Sequence, residues 1–162
     1  MEKDPVKAAE WNWKAAEQGH AGAQNQMGCH YERGEGVEKD LKRAAVLWTK
    51  ATEQGNARAQ SSLAHMYYSG EWVAKDRKRA AQLWTEAAEQ GNAAAQSTLA
   101  TMHYMGEGVA KDLKRAAQLY TEAAEQGNAN AQAGAAAQSD RKGGVAGERV
   151  DPGGRRTRKE EK

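Results

Sequence analysis

The chain has 162 residues, a net charge of +2, 6% aromatic residues and no Phe, and its mean hydropathy is −0.96. Near-neutral charge argues against nucleic acid as a partner, because that footprint needs a clustered basic stripe. The one cysteine, Cys29, excludes an intrachain disulfide framework, and no apolar run approaches the roughly 18 residues that cross a bilayer. Met1 is followed directly by charged residues rather than an apolar leader, so the expected location is cytoplasmic.

The dipeptide Lys-Asp stands at 3–4, 39–40, 75–76 and 111–112, each step 36 residues from the last. Residues 40–75 match 76–111 at 26 of 36 positions. A fixed period of this size marks a stacked-repeat protein, in which no unit buries its apolar face alone. The expected units are about 4–39, 40–75, 76–111 and a degenerate 112–139, followed by a tail over 140–162.

The first unit opens with Asp4-Pro5, an N-cap followed by Pro at the first helical position, where its missing N–H is harmless. In the second, Asp40 caps a helix whose Ala44, Leu47, Trp48 and Ala51 share one face, and Gly55 ends it. Asn56 then caps a second helix that buries Ala59, Leu63, Met66 and Tyr67 and stops at Gly70. Gly19, Gly91 and Gly127 are equivalent to Gly55; Asn92 and Asn128 are equivalent to Asn56, but His20 replaces the asparagine in the first unit. Each unit is therefore an antiparallel helical hairpin.

Two positions depart from the pattern. Asn12 stands where Trp48, Trp84 and Tyr120 stand. Trp72 replaces the glycine found at Gly36 and Gly108, which costs on the order of 1 kcal/mol if that site has positive φ. Trp72 thus reads either as a locally adjusted loop or as an exposed aromatic anchor for a partner. The fourth unit weakens after Glu125, with Ala135 and Ser139 where larger core residues stand, and its Ala-rich stretch suits an end cap. Residues 140–162 are aperiodic and are expected to be disordered; from Arg141 onward they carry 8 Lys/Arg against 4 Asp/Glu, including the weak basic motif Arg155–Lys159.

The run Ala44–Leu47–Trp48–Ala51–Gly55–Ala59–Leu63–Ala64–Tyr67–Gly70–Val73–Asp76, repeated from Ala80 to Asp112 and from Ala8 to Asp40, resembles the Sel-1-like repeat. The resemblance covers roughly residues 4–132 and implies an all-α fold: a right-handed solenoid of tetratricopeptide-like hairpins, about seven helices in all.

No chemistry recurs with the period. His20, His30, His65 and His103 form no i, i+4 ligand pair, and His103 falls at a Tyr-shaped core position. Cys29 and His30 are helix neighbours pointing about 100° apart, so they are not a nucleophile–base pair. With no phosphate loop or nucleophile elbow either, neither a catalytic residue, nor a cofactor, nor a metal is expected. A cationic ladder (Lys7, Arg43, Arg79, Arg115) and an acidic one (Glu17, Glu53, Glu89, Glu125) sit at helix ends the macrodipole disfavours. That placement suggests pairing with Glu35, Glu71 and Glu107, against a solvated charged face.

The resemblance implies a non-enzymatic adaptor that binds proteins or peptides on its concave face, with no small-molecule substrate. Matching the tetratricopeptide inner helix to 23–33, 59–69 and 95–105 gives Asn25, Cys29, Glu32, Arg58, Ser61, His65, Tyr68, Ser97, Thr101 and Tyr104 as the contact surface. The alternatives are a β-lactamase-like hydrolase of the cysteine-rich type, which the single cysteine disfavours, or a fragment of a larger repeat protein.

Overall fold

A computed structural model describes residues 4–148. Among them are eight helices and no strand: α1 (Pro5–Glu17), α2 (Ala21–Arg33), α3 (Leu41–Glu53), α4 (Ala57–Ser69), α5 (Arg77–Glu89), α6 (Ala93–Met105), α7 (Leu113–Glu125) and α8 (Ala129–Glu148).

The caps explain where the helices begin. Asp40, Asp76 and Asp112 accept from the amides of Arg43, Arg79 and Arg115 at 2.9–3.0 Å. Asn56 and Asn92 do the same for Ala59 and Ala95 at 2.9 Å. Each bond satisfies an otherwise orphaned first-turn donor. His20 makes no side-chain cap bond, the expected consequence of its substitution for asparagine. Gly34, Gly70 and Gly106 close α2, α4 and α6 in the left-handed conformation.

Packing runs chiefly between chain neighbours, and the tightest interfaces are α2–α3, α4–α5 and α6–α7. The core is a line of small residues, Ala44, Ala51, Ala80, Ala87, Ala95 and Ala123 among them, into which Trp48, Trp84, Leu83, Leu99 and Leu119 insert. Alanine on the shared faces lets backbones approach closely enough to enclose a whole indole. Trp48 and Trp84 are fully buried, and truncating either would cost about 3–5 kcal/mol.

Two expectations need correction. Helix α8 continues to Glu148, past the boundary expected at 139, and is one of eight helices among the described residues, where about seven were expected. Its run of alanines sustains helical propensity where apolar periodicity fails. The remaining tail, with its Arg155–Lys159 motif, lies outside the described residues. The cationic ladder also does not pair as expected. Arg43 meets Asp40, its own helix cap, at 3.5 Å, and Glu107 pairs with Arg77 at 3.6 Å. The first-turn cation that reaches a loop glutamate is thus Arg77, two residues before the ladder position Arg79.

Candidate partner-binding surface

Helices α2, α4 and α6 repeat the same register, so each sequence-predicted contact residue can be placed against its equivalents. One edge of these helices meets the next helix. There Trp48 Nε1 donates to the Asn25 backbone carbonyl at 3.2 Å, and Trp84 Nε1 donates to Ser61 Oγ at 3.3 Å. Tyr120, the aromatic of the following unit, shares a 2.8 Å hydrogen bond with Thr101. Asn25 and Ser97 are buried, and Asn25 Oδ1 has no hydrogen-bond partner among the described residues. These positions line the interface between units, so Asn25 and Ser97 are withdrawn from any surface. They lie one helical step from the exposed row, at the edge which the next helix covers.

The other predicted residues remain accessible. Glu32, Arg58 and His65 are exposed, and Cys29, Tyr68 and Tyr104 are half-buried. His65 stands edge-on to Trp84, ring centres 5.0 Å apart, and the desolvation that results pushes its imidazole below the ordinary histidine range despite the pull of Glu32. Tyr68 packs on the same indole at 5.6 Å and donates to Glu107 Oε2 at 2.7 Å, while the Arg77 guanidinium lies 5.4 Å over its ring. The Glu107 carboxylate, accepting from the phenol, holds the Tyr68 hydroxyl above its usual range. Burial pushes the Cys29 thiol up, and Glu32 adds to it, which disfavours the thiolate needed for nucleophilic work.

Trp72 has φ 67° and is 56% exposed, with Lys42 Nζ 5.9 Å from its ring. It therefore occupies the left-handed conformation that Gly36 (73°) and Gly108 (72°) adopt, as an exposed aromatic carrying backbone strain. A second exposed aromatic, Trp13, lies between α1 and α3, where it lines an open groove of about 580 Å³ together with Val46, Leu47 and the buried Tyr31, beside Lys42 and Lys50. Val46 and Lys50 correspond to Gln82 and Glu86 one unit later, where Lys78, Gln82 and Glu86 line a more acidic groove of about 510 Å³.

One feature escapes a reading by apolar periodicity. Gln54 donates to Gln24, Gln90 to Gln60 and Gln126 to Gln96, each at 2.8 Å. The acceptors are buried, so the ladder satisfies polar groups inside the inter-unit seam. Its signal was the recurring Gln-Gly-(His/Asn)-Ala-x-Ala-Gln, in which both glutamines flank the turn inside each hairpin.

The Sel1 repeat family model matches residues 1–20, 21–56, 57–92 and 93–128. No curated protein matches the chain. Among solved structures, a Sel1 repeat protein from Oxalobacter formigenes is 37% identical, with a TM-score of 0.76 over 81% of this chain and 52% of that one. The c5321 protein, a protective antigen present in uropathogenic Escherichia coli strains and displaying an SLR fold, is 37% identical with a TM-score of 0.73, over 80% of this chain and 28% of that one. Helicobacter pylori cysteine rich protein B, at 24% identity and a TM-score of 0.61 over 81% of this chain and 94% of that one, shares the fold. The chain thus spans about half or less of the length of the two more similar structures. Repeats of this kind generally serve as non-catalytic scaffolds for protein interaction, and no described helix is long and apolar enough to cross a membrane. With its family model matched across four consecutive segments, the chain belongs to the Sel1 repeat family.

Proposed function

We propose that the chain is a non-enzymatic adaptor that holds a protein or peptide along the row formed by α2, α4 and α6. The observation that carries this reading is the register of Glu32, Tyr68 and Tyr104, one side chain per unit, with Arg58 and His65 alongside. A row with a 36-residue repeat offers the same kind of contact at each unit, which suits an extended partner better than a compact small molecule. Half-buried tyrosines supply rigid contact area, and Arg58 and Glu32 supply charge selectivity at the rim. Burial raises the Cys29 thiol and so disfavours the thiolate that hydrolysis would need, which supports a non-enzymatic role. A cytoplasmic location belongs to the same reading.

The test compares partner capture by the wild-type chain and by the double variant Arg58→Glu, Tyr104→Ala, using affinity pull-down and mass spectrometry. Proteins lost with the variant, at unchanged helicity, support this row. Undiminished capture moves the site elsewhere, and the groove beside Trp13 is then the next surface to alter.

A further inference from the structure

Residues 40–75 and 76–111 differ at ten of 36 positions, and three of those differences gather on one face of α3. Lys42, Val46 and Lys50 stand at successive turns of that helix, and Trp72 lies beside Lys42, its ring centre 5.9 Å from Nζ. Helix α5 carries Lys78, Gln82 and Glu86 at the same positions, with Gly108 in place of the tryptophan. Helix α7 repeats the pair as Gln118 and Glu122.

Stability does not account for the three differences. Trp72 holds a left-handed backbone that Gly108 adopts without strain. Val46 exposes an apolar side chain where α5 and α7 present glutamine to solvent. Glu86 and Glu122 accept from the buried Gln60 and Gln96 at 3.1 and 3.4 Å. Lys50, in the equivalent place, cannot accept, and Gln24 is left donating to the Ala16 carbonyl at 3.4 Å. Each change forgoes a local advantage, and all three fall on one surface.

Trp13 closes the groove from α1. Its position is exposed or half-buried in the later helices as well, at Thr49, Thr85 and Thr121, so its accessibility does not depend on its unit being the first. The indole stands edge-on to the buried Tyr31 at 6.4 Å, and the Tyr31 hydroxyl accepts from Arg43 at 3.2 Å. Asp40, the carboxylate beside the groove, already caps α3 and meets Arg43 at 3.5 Å. Lys42 and Lys50 therefore line an apolar groove with no carboxylate partner among the described residues.

We propose that this groove binds an extended acidic segment of a partner protein, in which two carboxylate residues flank an apolar one in the pattern acid-x-apolar-x-acid. At a rise of about 1.5 Å per residue, Lys42, Val46 and Lys50 follow at intervals of about 6 Å along α3. Alternate residues of an extended chain lie about 6.6 Å apart and point to the same side. One carboxylate thus meets Lys42 and the other Lys50, while the apolar side chain between them enters the groove bounded by Val46, Leu47 and Trp13. Trp72 covers the Lys42 end. On α5 the same segment would meet Glu86 in place of Lys50, a like-charge contact that rejects it. A groove of about 580 Å³ that can enclose one side chain favours a peptide over a bilayer surface. This surface is separate from the α2–α4–α6 row and stands whether or not that row binds.

The capped peptide Ser-Glu-Ser-Leu-Ser-Glu-Ser, titrated into the nitrogen-15-labelled 162-residue chain, tests this by NMR. The indole N–H signals of Trp13 and Trp72 should move together, and those of the buried Trp48 and Trp84 should stay. The double variant Val46→Gln, Lys50→Glu installs the residues of α5 at exposed positions, so circular dichroism should be unchanged while Kd rises about tenfold. Arg58→Glu with Tyr104→Ala should bind the peptide as the wild type does. A peptide with lysine in place of both glutamates should produce no shift. Unmoved indole signals at millimolar peptide overturn the proposal, as does equal binding by the Val46→Gln, Lys50→Glu variant. Vesicles containing phosphatidylserine that move the Trp13 and Trp72 signals when the peptide does not would assign the patch to a membrane and overturn it too.

Discussion

Gly28 lies directly beneath the Trp48 indole: a Cβ added there would stand 2.6 Å from Trp48 Cδ1. The next unit tolerates Ala64 at the equivalent position, because Trp84 bonds to a side-chain hydroxyl, Ser61 Oγ, whereas Trp48 bonds to a main-chain carbonyl, Asn25 O. Reaching a backbone atom draws the Trp48 ring closer to the α2 axis, and only glycine leaves room for it. Gly28→Ala gains about 0.5–1 kcal/mol of helix propensity but overpacks the seam by about 1–3 kcal/mol. The expected result is a net loss, read as a lower denaturant midpoint with an unchanged m-value.

Trp72→Gly should act in the opposite direction. It relieves a left-handed non-glycine residue, about 1 kcal/mol, and loses an exposed cation–π contact with Lys42 of about 0.5 kcal/mol. A small rise in melting temperature with partner capture intact would exclude an anchor role for Trp72; lost capture with a raised melting temperature would establish one.

Gly108→Ala should destabilise by more than the Trp72 strain. At φ 72° its Cβ would stand 2.8 Å from the Arg77 carbonyl carbon, a backbone atom that cannot swing aside. Thermal melts of Gly108→Ala and Gly55→Ala separate the two contributions, since a Cβ at Gly55 meets open space and carries only the conformational cost at φ 80°.

The glutamine ladder predicts an asymmetry. Gln60 is buried, accepts from Gln90 at 2.8 Å and donates to Glu86 at 3.1 Å, so Gln60→Ala should cost about 1–3 kcal/mol. Gln90 is exposed and its loss can be made good by water, so Gln90→Ala should cost less. Equilibrium unfolding of the two variants and their double mutant measures the coupling.

His65 links stability to pH. Its folded imidazole is held below the ordinary range by desolvation where the ring edge meets Trp84, although the residue as a whole is exposed, so the unfolded chain binds the proton more readily. The contribution is present above the unfolded histidine range and is lost as pH falls through it toward the folded value. Melting temperature should drop on acidification from neutral pH. His65→Gln should flatten that slope if this histidine is responsible.

The architecture was legible because the 36-residue spacing, the Asp and Asn caps and the glycine stops are local signals that need no knowledge of neighbours. The strain at Trp72 could be read the same way, from the glycines at the equivalent loop positions in the units before and after. The surface was less legible. Asn25 and Ser97 look like polar surface positions in sequence, yet one helical step turns them into the seam, and only the packing of the next helix decides that. The glutamines escaped because apolar periodicity finds faces, while a buried polar ladder is defined by its partner 30 residues away. Repetition alone thus determined that hairpins stack in line, since that is how identical half-buried units hide their apolar stripes. Which polar side chains lie inside the stack was decided by tertiary contact, because burial belongs to pairs of helices and not to any one of them.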